Sequence, residues 1–449
     1  MQTYLFPPTY DEDRYWQLFW QTDLGQLYQA VPWEELAALL PAKRFPQGKK
    51  PWLDKKGMIG LEMLKSYLGL SDAKLVERLN TDWAIRLFCG LCPMPVRWIR
   101  DHDLPSHYRK KLAQWIDYQE FQTVLAHYWR PYLQHPHLVL TDATCYESYI
   151  QYPTDVKLLW DSCQWVYKQI KTLCKVMQIP RPRSKFKEQH RKHTAYQKQR
   201  KKTKKQEGKR IKALLYLLGK LLGQLEELLL LHQNKDDADL PTKFFSRKQV
   251  IEKLYIQQQE HYHHPQDPIP DRIVSLFKPY VRPIVRGKEN KRVEFGLKAN
   301  IRQVDGINFI EHLSFDAFNE APHLKTVVYQ HQRDFGSCKQ LGADQIFATN
   351  ANRKFCTQRS IATCFVPKGR TGKDEDQRQI LRKIIANLRA TVLEGSFGNE
   401  KNHYNLQCIK ARTPLTEKWW CFIGIFTANA VKIAHRMKQT QLPLLKQSA

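Results

Sequence analysis

Residues 137–147 read His137-Leu-Val-Leu-Thr-Asp142-Ala-Thr-Cys-Tyr-Glu147, in which His137–Asp142 is a short apolar run ending on an acid. A run of that length reads as a buried strand, and residues 146–152 read as a second one. Working outward, residues 155–175 return to helical periodicity. Next comes a stretch rich in Lys and Arg, 181–212, opposed only by Glu188 and Glu207. It leads into a leucine-rich segment, 214–231, whose spacing fits a long amphipathic helix, with residues 247–259 as its candidate partner. From Pro279 the pattern turns to β. Residues 293–303 alternate, Asp305-Gly306 is a turn, and 307–314 resume, which is a hairpin. A helix over 320–332 follows, then Gln340-Leu-Gly-Ala-Asp344 as a strand end and 361–366 as a short strand. Long helices over 374–401 and 419–437 complete the chain. The order predicts an α/β fold whose mixed sheet is interrupted by a helical insertion.

Upstream, residues 1–130 read as all-helical, with apolar positions at helical spacing over 12–30, 33–40 and 58–68. Gly69-Leu70 stops a helix, Ser71 is placed to cap the next, and Thr81 to start another. Three short helices with tight turns have the outline of a helix-turn-helix, and ordinary helix packing accounts for them equally well.

Charge narrows the function. The 449 residues hold 72 Lys and Arg against 44 Asp and Glu, a net charge of +28. A chain this basic repels itself without an anionic partner, and nucleic acid is the usual one. The first residues lack the basic and apolar regions of a signal peptide. Charges at Lys220, Glu226 and Glu227 make the leucine-rich helix a poor membrane span. Ten scattered cysteines fit reduced thiols in a cytoplasm.

Phosphodiester chemistry on such a partner needs carboxylates converging on divalent ions about 4 Å apart. Three acids are placed for it. Asp142 ends the first strand, Asp344 ends a later one, and Glu394 lies on the long helix. Lys401, seven residues after Glu394, falls two turns along the same helical face, where its charge can meet a phosphate. An Asp after a strand is more often a turn residue, and a Glu on a helix is more often solvent-exposed.

The ensemble of motifs is more specific than its parts. It comprises Leu64-Lys-Ser-Tyr-Leu-Gly-Leu-Ser-Asp-Ala-Lys-Leu-Val-Glu-Arg-Leu-Asn80, Asp142-Ala-Thr-Cys-Tyr-Glu-Ser with Tyr152-Pro-Thr-Asp155, and Arg282-Pro-Ile-Val-Arg-Gly-Lys288 with Val293-Glu-Phe-Gly-Leu-Lys298. Ala343-Asp344 with Asn352-Arg353 follows, then Glu394-Gly-Ser-Phe-Gly398 with Lys401, Tyr404 and Ala411-Arg-Thr. This set resembles the DDE transposases of bacterial insertion sequences. The resemblance implies an N-terminal helical DNA-binding domain over 1–130 and an RNase H-like catalytic domain over 131–449, with a basic helical insertion at 176–265. It implies Asp142, Asp344 and Glu394 as a triad holding two Mg2+ ions, with Mn2+ able to substitute, and Lys401 as a fourth catalytic residue. The family pattern also sets a Tyr and an Arg before the Glu. The Arg position, four residues before Glu394, holds Ala390, with Arg389 one residue off, and the Tyr position holds Asn387.

The implied reaction cuts the element's ends and joins the freed 3′-hydroxyl to target DNA. Its partners are double-stranded DNA, as inverted repeats and target, and a second copy of the chain or a larger assembly. No nucleotide cofactor and no membrane are expected, and the expected location is the bacterial cytoplasm at the nucleoid. The alternative is a catalytically inactive DNA-binding relative that represses or structures DNA.

Other segments read more simply. Cys89 and Cys92 form one CxxC pair, with His102 and His107 downstream, but zinc sites usually need two ligand pairs. His261, His263 and His264 read as an exposed loop. Gly369-Arg-Thr-Gly-Lys373 lacks the spacing and the following hydroxyl of a nucleotide loop. Asp155 reads as a helix cap and Glu294 as structural.

Overall fold

In the computed structural model, which describes residues 12–41, 51–94, 97–233, 240–285, 293–369 and 375–447, the first strand outruns its apolar core. β1 covers Leu138–Glu147, and Thr144, Cys145 and Tyr146 are all buried. Residues 146–152 do not form a second strand. Beyond Glu147, Ser148 makes a single bridge to Ile409 before the chain enters a helix. The other strands are β2 (Pro283–Val285), β3 (Val293–Val304), β4 (Ile307–Ser314), β5 (Gln340–Ala343) and β6 (Ala362–Thr363). β3 and β4 are the expected hairpin. Asp305 and Gly306 turn it at φ of 49° and 78°, the paired positive φ that matches strand twist. β6 is shorter than the 361–366 run suggested.

The chain divides into two compact units, Met1–Tyr149 with Gly296–Ala449, and Ile150–Phe295. In the first, β4, β3 and β1 run antiparallel, and β5 and β6 then add parallel to β1. A buried ion cluster locks β3 to its neighbours. Arg302 bonds Glu311 of β4 at 2.5 Å and Asp334 at 2.6 Å.

Eight helices precede β1 among the described residues: α1 (Glu12–Trp20), α2 (Asp23–Gln29), α3 (Trp33–Ala38), α4 (Lys55–Leu68), α5 (Asp72–Thr81), α6 (Trp83–Phe88), α7 (Leu104–Trp115) and α8 (Tyr118–Trp129). Their punctuation is readable. Gly69 ends α4 at φ 64°, Ser71 caps α5 by accepting from the Lys74 N–H at 3.2 Å, and Asp82, not Thr81, caps α6.

The second unit holds four helices, α9 (Asp155–Val176), α10 (Phe186–Lys198), α11 (Lys204–Gln233) and α12 (Thr242–His263). Leu214, Leu218, Leu221 and Leu225 of α11 are buried where it packs along α9. α12, the candidate partner in the sequence, joins them. The basic run forms α10 and the start of α11, and its anchor is aromatic: Trp160 stacks on His193 at 4.6 Å and Tyr167 on Phe186 at 3.9 Å. Burial pushes the His193 imidazole down to about 4. Thr154 caps α9, correcting the assignment to Asp155, which instead pairs with Arg272 at 2.8 Å. No described helix is long and apolar enough to cross a membrane.

The remaining helices belong to the first unit: α13 (Leu324–Phe335), α14 (Asn350–Gln358), α15 (Glu375–Leu388), α16 (Glu394–His403) and α17 (Pro414–Gln447). α13 starts four residues later than the 320–332 reading, after a 3-10 turn at Ala321–His323. α15 lies close on β5 at Gly342, where an added Cβ would come within 2.6 Å of Leu140 and 2.9 Å of Ile385.

Candidate active site

The parallel pairing of β1 and β5 sets Thr141 opposite Ala343. The next residue on each strand is therefore an acid, Asp142 beside Asp344, with the strands about 4.8 Å apart. Each carboxylate is oriented by the following backbone N–H, at 2.8 Å from Ala143 and 2.7 Å from Gln345. They differ in solvation: the Asp142 side chain is 16% exposed and that of Asp344 51%.

Glu394 reaches them from a helix that is not continuous. The expected helix over 374–401 is α15 and α16 joined by a π-helical turn, Arg389–Leu393. A π turn takes about one more residue than an α turn. Arg389, five residues before Glu394, thus holds the angular position that a residue four before would hold in an unbroken α-helix. The one-residue offset in the sequence is absorbed by this turn.

Arg389 sits among all three acids. Its guanidinium bonds Asp142 at 2.5 Å and lies 3.6 Å from Glu394 and 4.0 Å from Asp344. Burial lifts the Asp142 carboxyl to about 6, against the pull of Arg389 and the Ala143 N–H; the charges of Glu320 and Asp344 add to the rise. Glu320, which the sequence reading did not single out, pairs with Lys298 at 2.8 Å. As the side chains stand, no group of three or more His, Cys, Asp and Glu among the described residues is set to hold a metal ion.

Lys401 follows on α16. Its ammonium donates to Thr144 Oγ1 at 3.1 Å, on the strand that carries Asp142, and lies 5.6 Å from the Tyr146 ring. The opposite face of α16 is pinned to the sheet. Ser396 accepts from Asn308 at 2.8 Å and Gln303 at 3.1 Å, while Glu400 accepts from Asn308 at 2.6 Å and the Tyr146 hydroxyl at 2.5 Å. Burial pushes the Glu400 carboxyl up. These positioning residues were missed in the sequence. Their only trace there is the i, i+4 spacing of Ser396 and Glu400, on the face opposite Glu394 and Lys401.

The remaining candidates lie elsewhere. Cys89 is buried after α6, and burial raises its thiol well above the usual range. The Cys92 carbonyl accepts from Arg86 at 2.6 Å. His261 and His263 end α12 rather than lying in a loop. Glu294 is buried in β3. Most of the 369–373 segment lies outside the described residues.

No curated protein and no solved structure matches the chain. Residues 20–111, from the end of α1 into α7, match the family described as Transposase domain (DUF772). This part of the helical N-terminal region is similar to that domain, which supports an insertion-sequence transposase.

Proposed function

We propose that the chain is a DDE-type transposase that cleaves the ends of an insertion sequence and joins the 3′-hydroxyl to target DNA. The convergence of Asp142, Asp344 and Glu394 on one cation, Arg389, carries this reading. Three carboxylates that gather a guanidinium offer the hard oxygen donors that magnesium requires. The strand order β4-β3-β1-β5-β6, antiparallel then parallel, supports an RNase H-like catalytic domain over 131–449. Residues 1–130 and the basic insertion at 176–265 are the proposed surfaces for the inverted repeats, since exposed cations there can neutralise phosphates.

Asp142, Asp344 and Glu394 would hold the magnesium ions, which when bound stabilise charge on the attacking and leaving oxygens. Arg389 then exchanges its carboxylate partners for a phosphate oxygen of the DNA. Lys401, held by Thr144, steadies a neighbouring phosphate as a point charge. Two ends must be brought together, so the working form is a homodimer or larger assembly. No nucleotide cofactor enters this scheme, and its place is the cytoplasm at the nucleoid. Incubating the intact chain with labelled DNA from the flanks of its coding region tests it. Metal-dependent cutting and joining is expected; specific binding without cutting would favour the inactive DNA-binding relative, with the Arg389–Asp142 pair permanent.

Two further results are expected. A carboxyl raised to about 6 is protonated below that pH and must lose its proton to bind a cation. Manganese affinity should therefore fall by up to about tenfold per pH unit below that point. Calorimetric titration across the range checks it, and pH-independent binding in the intact chain would contradict it.

The π turn gives the second. Deleting Ala390 leaves Arg389 four residues before Glu394 in a regular helix, so cleavage should stay within about tenfold of the intact chain. Inserting an alanine after Ala390 instead turns Arg389 away by about 100°. It should cost as much as Arg389→Ala, on the order of 10²-fold. Equal damage from deletion and insertion would remove the turn from the argument.

A further inference from the structure

Two of the motif segments have no part in the carboxylate site, yet they meet. Leu70, Ser71 and Asp72, from the 64–80 motif, and Ala411, Arg412 and Thr413 line one cleft of about 470 Å³. α4, α5 and α7 contribute to its walls together with the start of α17.

The floor is a neutralised, rigid layer. The Arg109 guanidinium lies 4.6 Å from the Trp420 ring and bonds Glu62 at 2.9 Å and Asp72 at 3.2 Å. Lys65 pairs with Asp72 at 2.7 Å. The rim differs. Lys110, Lys410 and Arg412 are exposed, and among the described residues none has a carboxylate partner. Five cations line the cleft, Lys65, Arg109, Lys110, Lys410 and Arg412, against Asp72 and Asp103. Counting buried Glu62 against Arg109 still leaves five against three. α5 and α17 both begin here behind hydroxyl caps, Ser71 and Thr413, so two helix N-termini add positive potential.

We propose that this cleft seats the phosphate backbone of duplex DNA, with Lys110, Lys410 and Arg412 as its phosphate contacts. The proposal rests on the DNA-processing reading above and assigns part of that binding to a defined cleft, walled by α4, α5 and α7 on one side and by residues 405–420 on the other. Duplex backbone fits because the surplus cations are on the open rim while the floor is already paired. A small phosphate held in the depth of the cleft would need unspent charge at the floor.

The test uses the full chain and a labelled duplex, with affinity measured over a salt series. Each phosphate contact adds about 0.9 to the slope of log affinity against log salt. The triple variant Lys110→Gln, Lys410→Gln, Arg412→Gln should lower that slope by about 2 to 3, with thermal unfolding unchanged because all three side chains are exposed. Asp103→Asn should tighten binding. A slope change below about one in the folded triple variant would overturn the proposal. So would an intact slope with lost binding of poly-glutamate or inorganic phosphate, which would assign the cleft to an acidic protein segment or to free phosphate. An intact chain that binds no duplex fails the DNA-processing reading as a whole. A chain that cuts DNA and keeps its slope in the triple variant fails the cleft alone.

Discussion

Glu394→Gln, Asp142→Asn and Asp344→Asn should each abolish strand cleavage, by on the order of 10³-fold or more, about 4 kcal/mol of transition-state stabilisation. The reason is geometric. Asp142 and Asp344 are neighbours by strand register, and Glu394 is brought to them by a helix pinned at Ser396 and Glu400. An amide keeps the shape but removes the negative charge on which a divalent ion depends. Residues that act as one unit are not additive. The double variant should therefore be little worse than either single one, and duplex binding should persist in all of them. Gel assays of cleavage and binding on the same protein check both halves. A Glu394→Gln protein that still cuts would remove the triad.

The second large effect concerns stability. Arg302→Ala should destabilise the first unit by about 3 to 5 kcal/mol, because it leaves buried Glu311 without its cation and buried Asp334 with Arg333 alone. Arg302 is 2% exposed and Asp334 1%, so the acids left behind are shut off from bulk water. Burial already pushes the Glu311 carboxyl up while Arg302 holds it back. Against a typical total of roughly 5 to 15 kcal/mol, such a loss leaves much of the chain unfolded. Replacing Arg302, Glu311 and Asp334 together by apolar residues of similar size should recover most of it, since a paired buried cluster is about neutral against well-packed hydrocarbon. Chemical unfolding of the single and triple variants decides this. A single variant within about 1 kcal/mol of the intact chain would contradict it.

Much of the scaffold can be read from residue order because it follows local rules. The β3–β4 hairpin announces itself by alternation and by Asp305-Gly306. The α4–α5 corner is marked by Gly69 and Ser71, and the α11–α12 pairing by leucine spacing, whereas the packing of α9 along α11 is not. The apolar runs that lead to Asp142 and Asp344 are visible as runs closing on an acid, though Asp142 lies inside β1 and not at its end, and Asp344 just past β5. What is hidden depends on tertiary context. A four-residue spacing rule presumes an α-helix, so Arg389 looks misplaced until the π turn is known. The break assumed near Tyr146 fails because β1 stays paired with β3 through Glu147. Thr154 outcompetes Asp155 as a cap because Asp155 is drawn to Arg272 and Gln258. Glu320 carries no local signal and Glu400 only its spacing from Ser396, since their partners are 22 and 92 residues away in sequence.

Iron-directed cleavage of the protein itself tests most directly whether the three carboxylates share one metal site. Iron(II) bound in place of magnesium, with ascorbate and peroxide, cuts the backbone beside its ligands. Cuts clustered near Asp142, Asp344 and Glu394, suppressed together by excess magnesium and by Glu394→Gln, are the expected result. Cuts confined to other segments, or unchanged in Glu394→Gln, would contradict a shared site.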